Sequence, residues 1–263
     1  MNLFAGPCNY EFGHELFSFQ GYIRHLSKSH DKTVVCSKKS MRFLYEDFCD
    51  HFLSIEQHTN REKYSSYKTI DCSEAISGKQ DFIKYGKPVG EKYDIVFHAR
   101  RKEGLCRNLS DKTYDNIHKL LVNKYTISFV GSKDGAYCPN GAIDLRGIEL
   151  KDLANIFSSS RLVVGNSSGP IHFASLCGAK HLTWGGYRPR TFARYAHLWN
   201  PFKAKCYLFE DLEDINYLKS RATLFKLPKD IFNSSHFSIV NAKEHRLPSV
   251  ELLYNTIENI FNE

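Results

Sequence analysis

Three groups of residues in this chain could do chemistry. The first is Gly165-Asn166-Ser167-Ser168-Gly169-Pro170, set between an apolar run at 162–164 and a helical pattern with Ile171, Phe173, Ala174 and Leu176. Pro170 stands where a missing N–H costs nothing, so the turn aims backbone N–H groups and the hydroxyls of Ser167 and Ser168 at one spot. With a helix dipole behind it, such a turn suits a phosphate, although it also serves as a plain strand-to-helix connection. His172 follows one turn into the helix. The second group ends a strand pattern with His98, Arg100 and Arg101. A guanidinium fork matches phosphate oxygens bidentately and keeps its charge at any working pH. Alternation puts Arg100 on the side of His98 and Arg101 on the other, and a strand merely ending in exposed cations is the competing reading. The third group is Glu11, in a loop, and Glu15, one turn into the helix that follows, with His14 between them. A positioned carboxylate can take a proton from a hydroxyl, while acids in a first helical turn also simply stabilise it.

Strands alternating with helices must position these groups. Apolar residues 3–5 and 33–36 read as strands, with a helix carrying Glu15, Leu16, Phe19, Tyr22, Ile23 and Leu26 between them. Helices are expected over 39–48 and 73–83, a strand over 67–72 and a surface loop over 56–66. Residues 84–92, with two glycines, a proline and four charges, read as a connection. A second series then runs as strand 94–98, helix 111–122, strands 125–130 and 142–145, helix 150–157, strand 162–164, helix to about 177 and strand 181–184. Val130-Gly131-Ser132 ends one of these strands, where Gly131 either lets a base or ribose come close or is a turn glycine. The pattern weakens after 212, where Asp211-Leu212-Glu213-Asp214 reads as a solvated turn, and an amphipathic helix over 249–261 closes the chain. This is an α/β protein whose alternation argues for parallel sheets covered on both faces.

The stretch around Ser168 resembles the C-terminal motif of the ADP-heptose:lipopolysaccharide heptosyltransferases, D-[ST]-G-P-x-H-x-A-x-A-x-G. Ser168-Gly169-Pro170, His172, Ala174 and Gly178 match it, with Gly185 and Gly186 at the glycine pair that follows, and Asn166-Ser167 stands where the family has an aspartate. Residues 6–16, G-P-C-N-Y-E-F-G-H-E-L, resemble the G-E-F-G-x-E-L segment of small viral, phage and bacterial glycosyltransferases. His98-Ala99-Arg100-Arg101 resembles the H-x-R-R motif of GDP-fucose-dependent fucosyltransferases, where the arginines meet the donor diphosphate. These resemblances imply two facing Rossmann-like domains of the compact GT-B type, an N-terminal acceptor-side domain over 1–90 and a nucleotide-sugar domain with its closing helix over 91–263. They imply metal-independent, inverting transfer from a nucleotide sugar, which is a co-substrate and not a cofactor. Glu11 would activate the acceptor hydroxyl, Glu15 being the alternative. His98, Arg100, Arg101, Gly131, Ser167, Ser168, Gly169 and His172 would hold the donor.

Composition narrows the partners. The net charge is +7 over 263 residues, and 153–209 holds no acid but seven Lys and Arg. Arg188, Arg190 and Arg194 lie there among Trp184, Tyr187, Phe192, Tyr195, Trp199 and Phe202, a mixture of cations and rings that suits an anionic acceptor. A glycan is the first expectation and a hydroxymethylated pyrimidine in phage DNA the second. A nucleotide-sugar epimerase and a non-catalytic nucleic-acid binder remain further alternatives. There is no D-x-D to hold a metal under a diphosphate and no G-x-G-x-x-G of a dehydrogenase. No run is long and apolar enough for a transmembrane segment, and the N-terminus starts directly on a strand without a secretory pattern. Eight cysteines with no C-x-x-C spacing suggest neither a zinc site nor a disulfide framework, so the expected place is the cytoplasm, that of the host if the chain is viral.

Overall fold

A computed structural model describes residues 1–57, 61–73, 78–90, 93–101, 107–185, 198–220, 234–242 and 247–263. The chain forms two compact units, Met1–Ile83 with Glu149–Lys151, and Lys84–Ile148 with Asp152–Glu263. No helix among the described residues is long and apolar enough to cross a membrane.

In the first unit, strands β1 (Leu3–Cys8), β2 (Thr33–Ser37), β3 (His51–Ser54) and β4 (Lys68–Ile70) form a parallel sheet in the order β3-β2-β1-β4. Phe4, Val34 and Cys36 share one small core, and Phe4 stacks on Tyr64 at 4.8 Å. Between β1 and β2 the chain is helical from Phe12 to Ser27, as α1 (Phe12–His14), a π-helical turn (Glu15–Phe19) and α2 (Gln20–Ser27). Leu16, Phe19 and Ile23, spaced three and four apart, are fully buried, which is why this segment folds as a helix against the sheet. Two expectations are corrected. The helix expected over 39–48 is a 3₁₀ segment, Lys39–Leu44. Within the helix expected over 73–83, residues 78–83 hold no regular element. They are tied to the helix instead, since Gln80 donates to the Phe17 carbonyl at 2.6 Å and the Asp81 amide to that of Gly21 at 2.9 Å.

The second unit is built on an eight-stranded sheet. Its strands are β5 (Ile95–Arg100), β6 (Ile127–Phe129), β7 (Ala136–Tyr137), β8 (Ile143–Asp144), β9 (Leu162–Asn166), β10 (His181–Trp184), β11 (Cys206–Glu210) and β12 (Phe237–Asn241). The order is β12-β11-β10-β9-β5-β6-β8, all parallel, with β7 pairing antiparallel on the end of β5. From β5 the chain moves outward through β6 to β8, and from β9 it moves the other way to β12. The order therefore reverses between β5 and β9, the point at which doubly wound sheets open a crevice outside their carboxyl ends.

Helices cover both faces. Ile95, Phe97 and Ala99 of β5 face the core shared with α3 (Asp111–Leu121) and the closing helix (Val250–Asn262). Phe97 stacks on Phe129 at 5.2 Å there. On the other face, α4 (Leu150–Ser159) and α5 (Gly169–Leu176) meet through Phe157 and Phe173. Alternation along β5 thus turns Val96, His98 and Arg100 toward the α5 side. The expected turn at 211–214 is instead the start of a helix, Leu212–Ser220, with Glu213 and Asp214 in its first turn. Acids there favour a helix because they face its positive end.

Candidate functional site

The β5 and β9 strand ends are held together by one hydrogen-bond chain. β5 pairs β9 in register His98↔Gly165, so the residues leaving both strands lie side by side. Ser168 Oγ donates to the Asn166 carbonyl at 2.9 Å and stands 3.0 Å from His98 Nδ1. A hydroxyl has a single proton, and here it is given to Asn166. His98 Nδ1–H must therefore donate to Ser168 Oγ, which leaves the lone pair on Nε2. Burial first, and the Arg100 charge second, lower the His98 pKa to about 3. His98 is thus a neutral donor with a fixed tautomer.

Gly131, at the end of the neighbouring β6, closes against this ring. Its φ is +127°, and a Cβ there would lie 2.6 Å from Ala136 Cβ and 3.0 Å from His98 Cδ2. The close approach to His98 requires glycine.

α5 begins at this spot. Ser168 is its N-cap residue, in extended conformation, yet its hydroxyl makes no capping bond because it is turned back to Asn166. The Gly169 and Ile171 amides fall in the first turn, where no intrahelical acceptor exists, and Pro170 has no amide to satisfy. The Ser167 amide is used within the sheet, donating to the Trp184 carbonyl at 2.8 Å. Ser167 Oγ lies 3.2 Å from His172 Nε2, and the His172 ring stacks on Trp199 at 4.1 Å. A helix terminus of this kind suits an anion, and here it has a polar floor and an aromatic wall.

Two arginines border it. Arg100 ends β5 on the His98 side, its backbone fixed by pairing with Ala136 of β7. Arg107 was not visible as a site residue in the sequence, because only the fold shows that the chain returns to the strand ends there. Its Nη1 donates to the Ser167 carbonyl at 2.8 Å, and its own carbonyl accepts from Trp184 Nε1 at 2.8 Å. Asn166 Nδ2 adds a bond to Asn108 Oδ1 at 3.1 Å, tying the same loop to β9. Arg101 is turned away, as alternation required. It pairs with Asp111 through two hydrogen bonds and lies over the Tyr137 ring at 4.4 Å.

The first unit holds the two acids. Glu11 is exposed and precedes α1 as its N-cap residue, its carbonyl accepting from the His14 and Glu15 amides at 3.0 and 3.1 Å. Glu15 is fully buried. Its Oε1 accepts from Tyr45 Oη at 2.7 Å and from Ser37 Oγ, so its partners are hydroxyls and not loop amides. Burial raises its pKa, against the lowering effect of those two bonds. Arg188, Arg190 and Arg194, with Gly186, Tyr187, Phe192 and Tyr195, lie outside the described residues.

No protein-family model matches the sequence, and no curated protein matches it. Solved structures do. Heptosyltransferase II of E. coli, an ADP-heptose lipopolysaccharide enzyme, superposes with a TM-score of 0.62 at 10% identity, over 99% of this chain and 98% of that one. A family 9 glycosyl transferase from Veillonella parvula gives 0.59 at 10% identity, over 99% and 97%. TibC of enterotoxigenic E. coli, a dodecameric iron-containing heptosyltransferase in complex with ADP-heptose, gives 0.51 at 13% identity, over 71% of this chain and 58% of that one. The chain shares the fold of these glycosyltransferases. The heptosyltransferase resemblance of the Ser168 stretch agrees with that fold. The likeness of residues 98–101 to the fucosyltransferases is not shown by these structures.

The buried histidines give the second unit a defined pH response. His98 titrates near 3 and His181, also lowered by burial, near 4, whereas both take up protons near 6.5 once unfolded. Their folded pKa values are depressed, so the stability they contribute is fully present above pH 6.5 and is lost as pH falls toward 4. The expected slope is about 1.4 kcal/mol per pH unit for each histidine in that window. Urea midpoints at pH 7, 6 and 5 measure it, and a flat profile would contradict the neutral burial of both rings.

Proposed function

We propose that this protein transfers a sugar from a nucleotide-sugar donor to an acceptor hydroxyl on a glycan, without a metal and with inversion. The observation that carries this reading is the joining of His98 to Ser168 at the reversal of strand order, beside the N-terminus of α5 and the arginine-bearing end of β5. The fold shared with heptosyltransferases supports it.

In this reading the donor diphosphate sits at the α5 N-terminus. Arg100 and Arg107 face its charge, and the amides at Ser168 and Gly169 meet its oxygens. Neutral His98 holds the Ser168 hydroxyl in place, and Gly131, whose missing side chain lets the end of β6 close on the His98 ring, flanks the nucleoside side of the donor. Ser167, His172 and Trp199 form the wall beyond, while Arg101 supports α3 through Asp111. Glu11 takes the proton from the acceptor hydroxyl as its oxygen attacks the anomeric carbon and the bond to the diphosphate breaks. Glu15 braces the helix after that loop. Guanidinium groups and a helix terminus stabilise the departing diphosphate in the way a cation otherwise would. The segment at 184–202, with Arg188, Arg190 and Arg194, receives the acceptor. Its mixture of cations and rings is the observation that favours a second acceptor, modified DNA.

The test is a panel of nucleotide sugars, ADP-heptose among them, scored by thermal shift and then by nucleotide release with glycan or hydroxymethylated-DNA acceptors, with and without EDTA. Diphosphate-linked donors should raise the melting temperature, and release should need an acceptor and survive the chelator. Iron content is measured alongside, because TibC carries iron. Sugar conversion without any acceptor would mean an epimerase. DNA binding without nucleotide release would mean a binding protein.

A further inference from the structure

The carboxyl end of the first unit's sheet holds a second cluster of reactive groups, and its core is a pair of thiols. The strand order reverses here too, between β1 and β4. These strands pair in parallel with Ala5 opposite Ile70, so the chain leaves both side by side. Cys8 is the last residue of β1 and Cys72 lies two residues beyond β4. Their sulfurs stand 2.7 Å apart, and both residues are fully buried. Ser37 Oγ, which gives its proton to Glu15, lies 3.3 Å from the Cys8 carbonyl and so sets the buried acid beside the pair. The bond to Cys8 and burial both push the Cys72 thiol above its ordinary range.

We infer that Cys8 and Cys72 are a reversible oxidation site, a dithiol that closes to a disulfide by exchange with oxidised glutathione. The thiolate of one cysteine attacks a glutathione sulfur and releases one reduced glutathione. The other cysteine then attacks the protein-side sulfur of that mixed disulfide, forms the internal bond and releases the second glutathione. Two thiols are oxidised, one disulfide is reduced, and two protons leave with the glutathiones. Closure is favoured because the second sulfur is already in place, so the mixed disulfide resolves intramolecularly. Burial makes the first step slow, since the thiolate is the attacking species. The link closes a loop between residues 64 apart, so it raises the stability of the first unit by restricting its unfolded chain. It also ties the exit of β4 to the strand end from which the Tyr10–Glu11 loop begins.

The full chain is equilibrated for days against graded ratios of reduced to oxidised glutathione, quenched in acid, denatured, alkylated and mapped by mass spectrometry. A peptide pair joined through Cys8 and Cys72 should appear at ratios where the other cysteines are still alkylated. The oxidised protein should melt several degrees higher than the reduced one, and Cys72→Ser should abolish that difference. Recovery of both residues as alkylated thiols at every ratio would overturn the inference, as would their capture only as separate glutathione adducts. If Cys72→Ser does not fold, the wild-type map decides alone. None of these readouts depends on sugar transfer.

Discussion

Glu11→Gln is expected to lower the transfer rate by about 10²–10⁴-fold, the range for removing a positioned general base. Affinity for the nucleotide diphosphate should not change. Glutamine keeps the shape of the side chain, and the start of α1 does not rely on it, because no capping bond comes from the Glu11 side chain. The loss should therefore fall on kcat, measured at saturating donor, with the melting temperature preserved. Retention of full kcat would remove Glu11 from the chemistry. Glu15→Gln is the contrasting variant. It alters a fully buried group bonded to Tyr45 and Ser37, so its first effect is on stability.

The second large effect is expected at Arg100. Arg100→Ala should reduce kcat/KM by about 10²–10³-fold, as does the loss of one preorganised donor to developing negative charge. It should also weaken nucleotide diphosphate binding, read by calorimetry. Arg101→Ala is the matched control one residue away. Its guanidinium is engaged with Asp111 and about half exposed, so its removal should cost at most about 1 kcal/mol of stability and little activity. Equal losses at both positions would show that general positive charge, not position on the strand, is what matters.

The second unit was largely legible because its signals are local. The strand before Gly165, the helix after Pro170 and the helix beginning near Asp111 each carry their own periodicity and punctuation, and alternation along β5 by itself separates Arg100 from Arg101. What was not legible depends on contacts between distant residues. Nothing near Arg107 shows that its guanidinium reaches the Ser167 carbonyl, 60 residues onward. β3 is not legible because four residues at a sheet edge, H-F-L-S, carry no alternation to count. Residues 78–83 had the composition of a helix, but Gly78 lies against Tyr22, where a Cβ would come within 2.0 Å of the ring, and Gln80 is bonded to Phe17. Packing against α2 overrode the local pattern there. Cys8 and Cys72 gave no signal at all, since their meeting is made by strand order and not by spacing.

The π-helical turn at Glu15–Phe19 has a consequence for how the N-terminal loop can vary. The Gln20 amide reaches the Glu15 carbonyl, five residues back, so the segment carries one residue more than a regular helix would. The wide turn takes up that residue within itself, so deleting one residue would restore even α-helical winding and leave the two ends close to their present facing. Glu15 would keep its side toward Tyr45, and Ile23 its side toward the interior. Length in this stretch can therefore change by that one residue: a chain shorter by one here should fold with a regular helix in place of the wide turn.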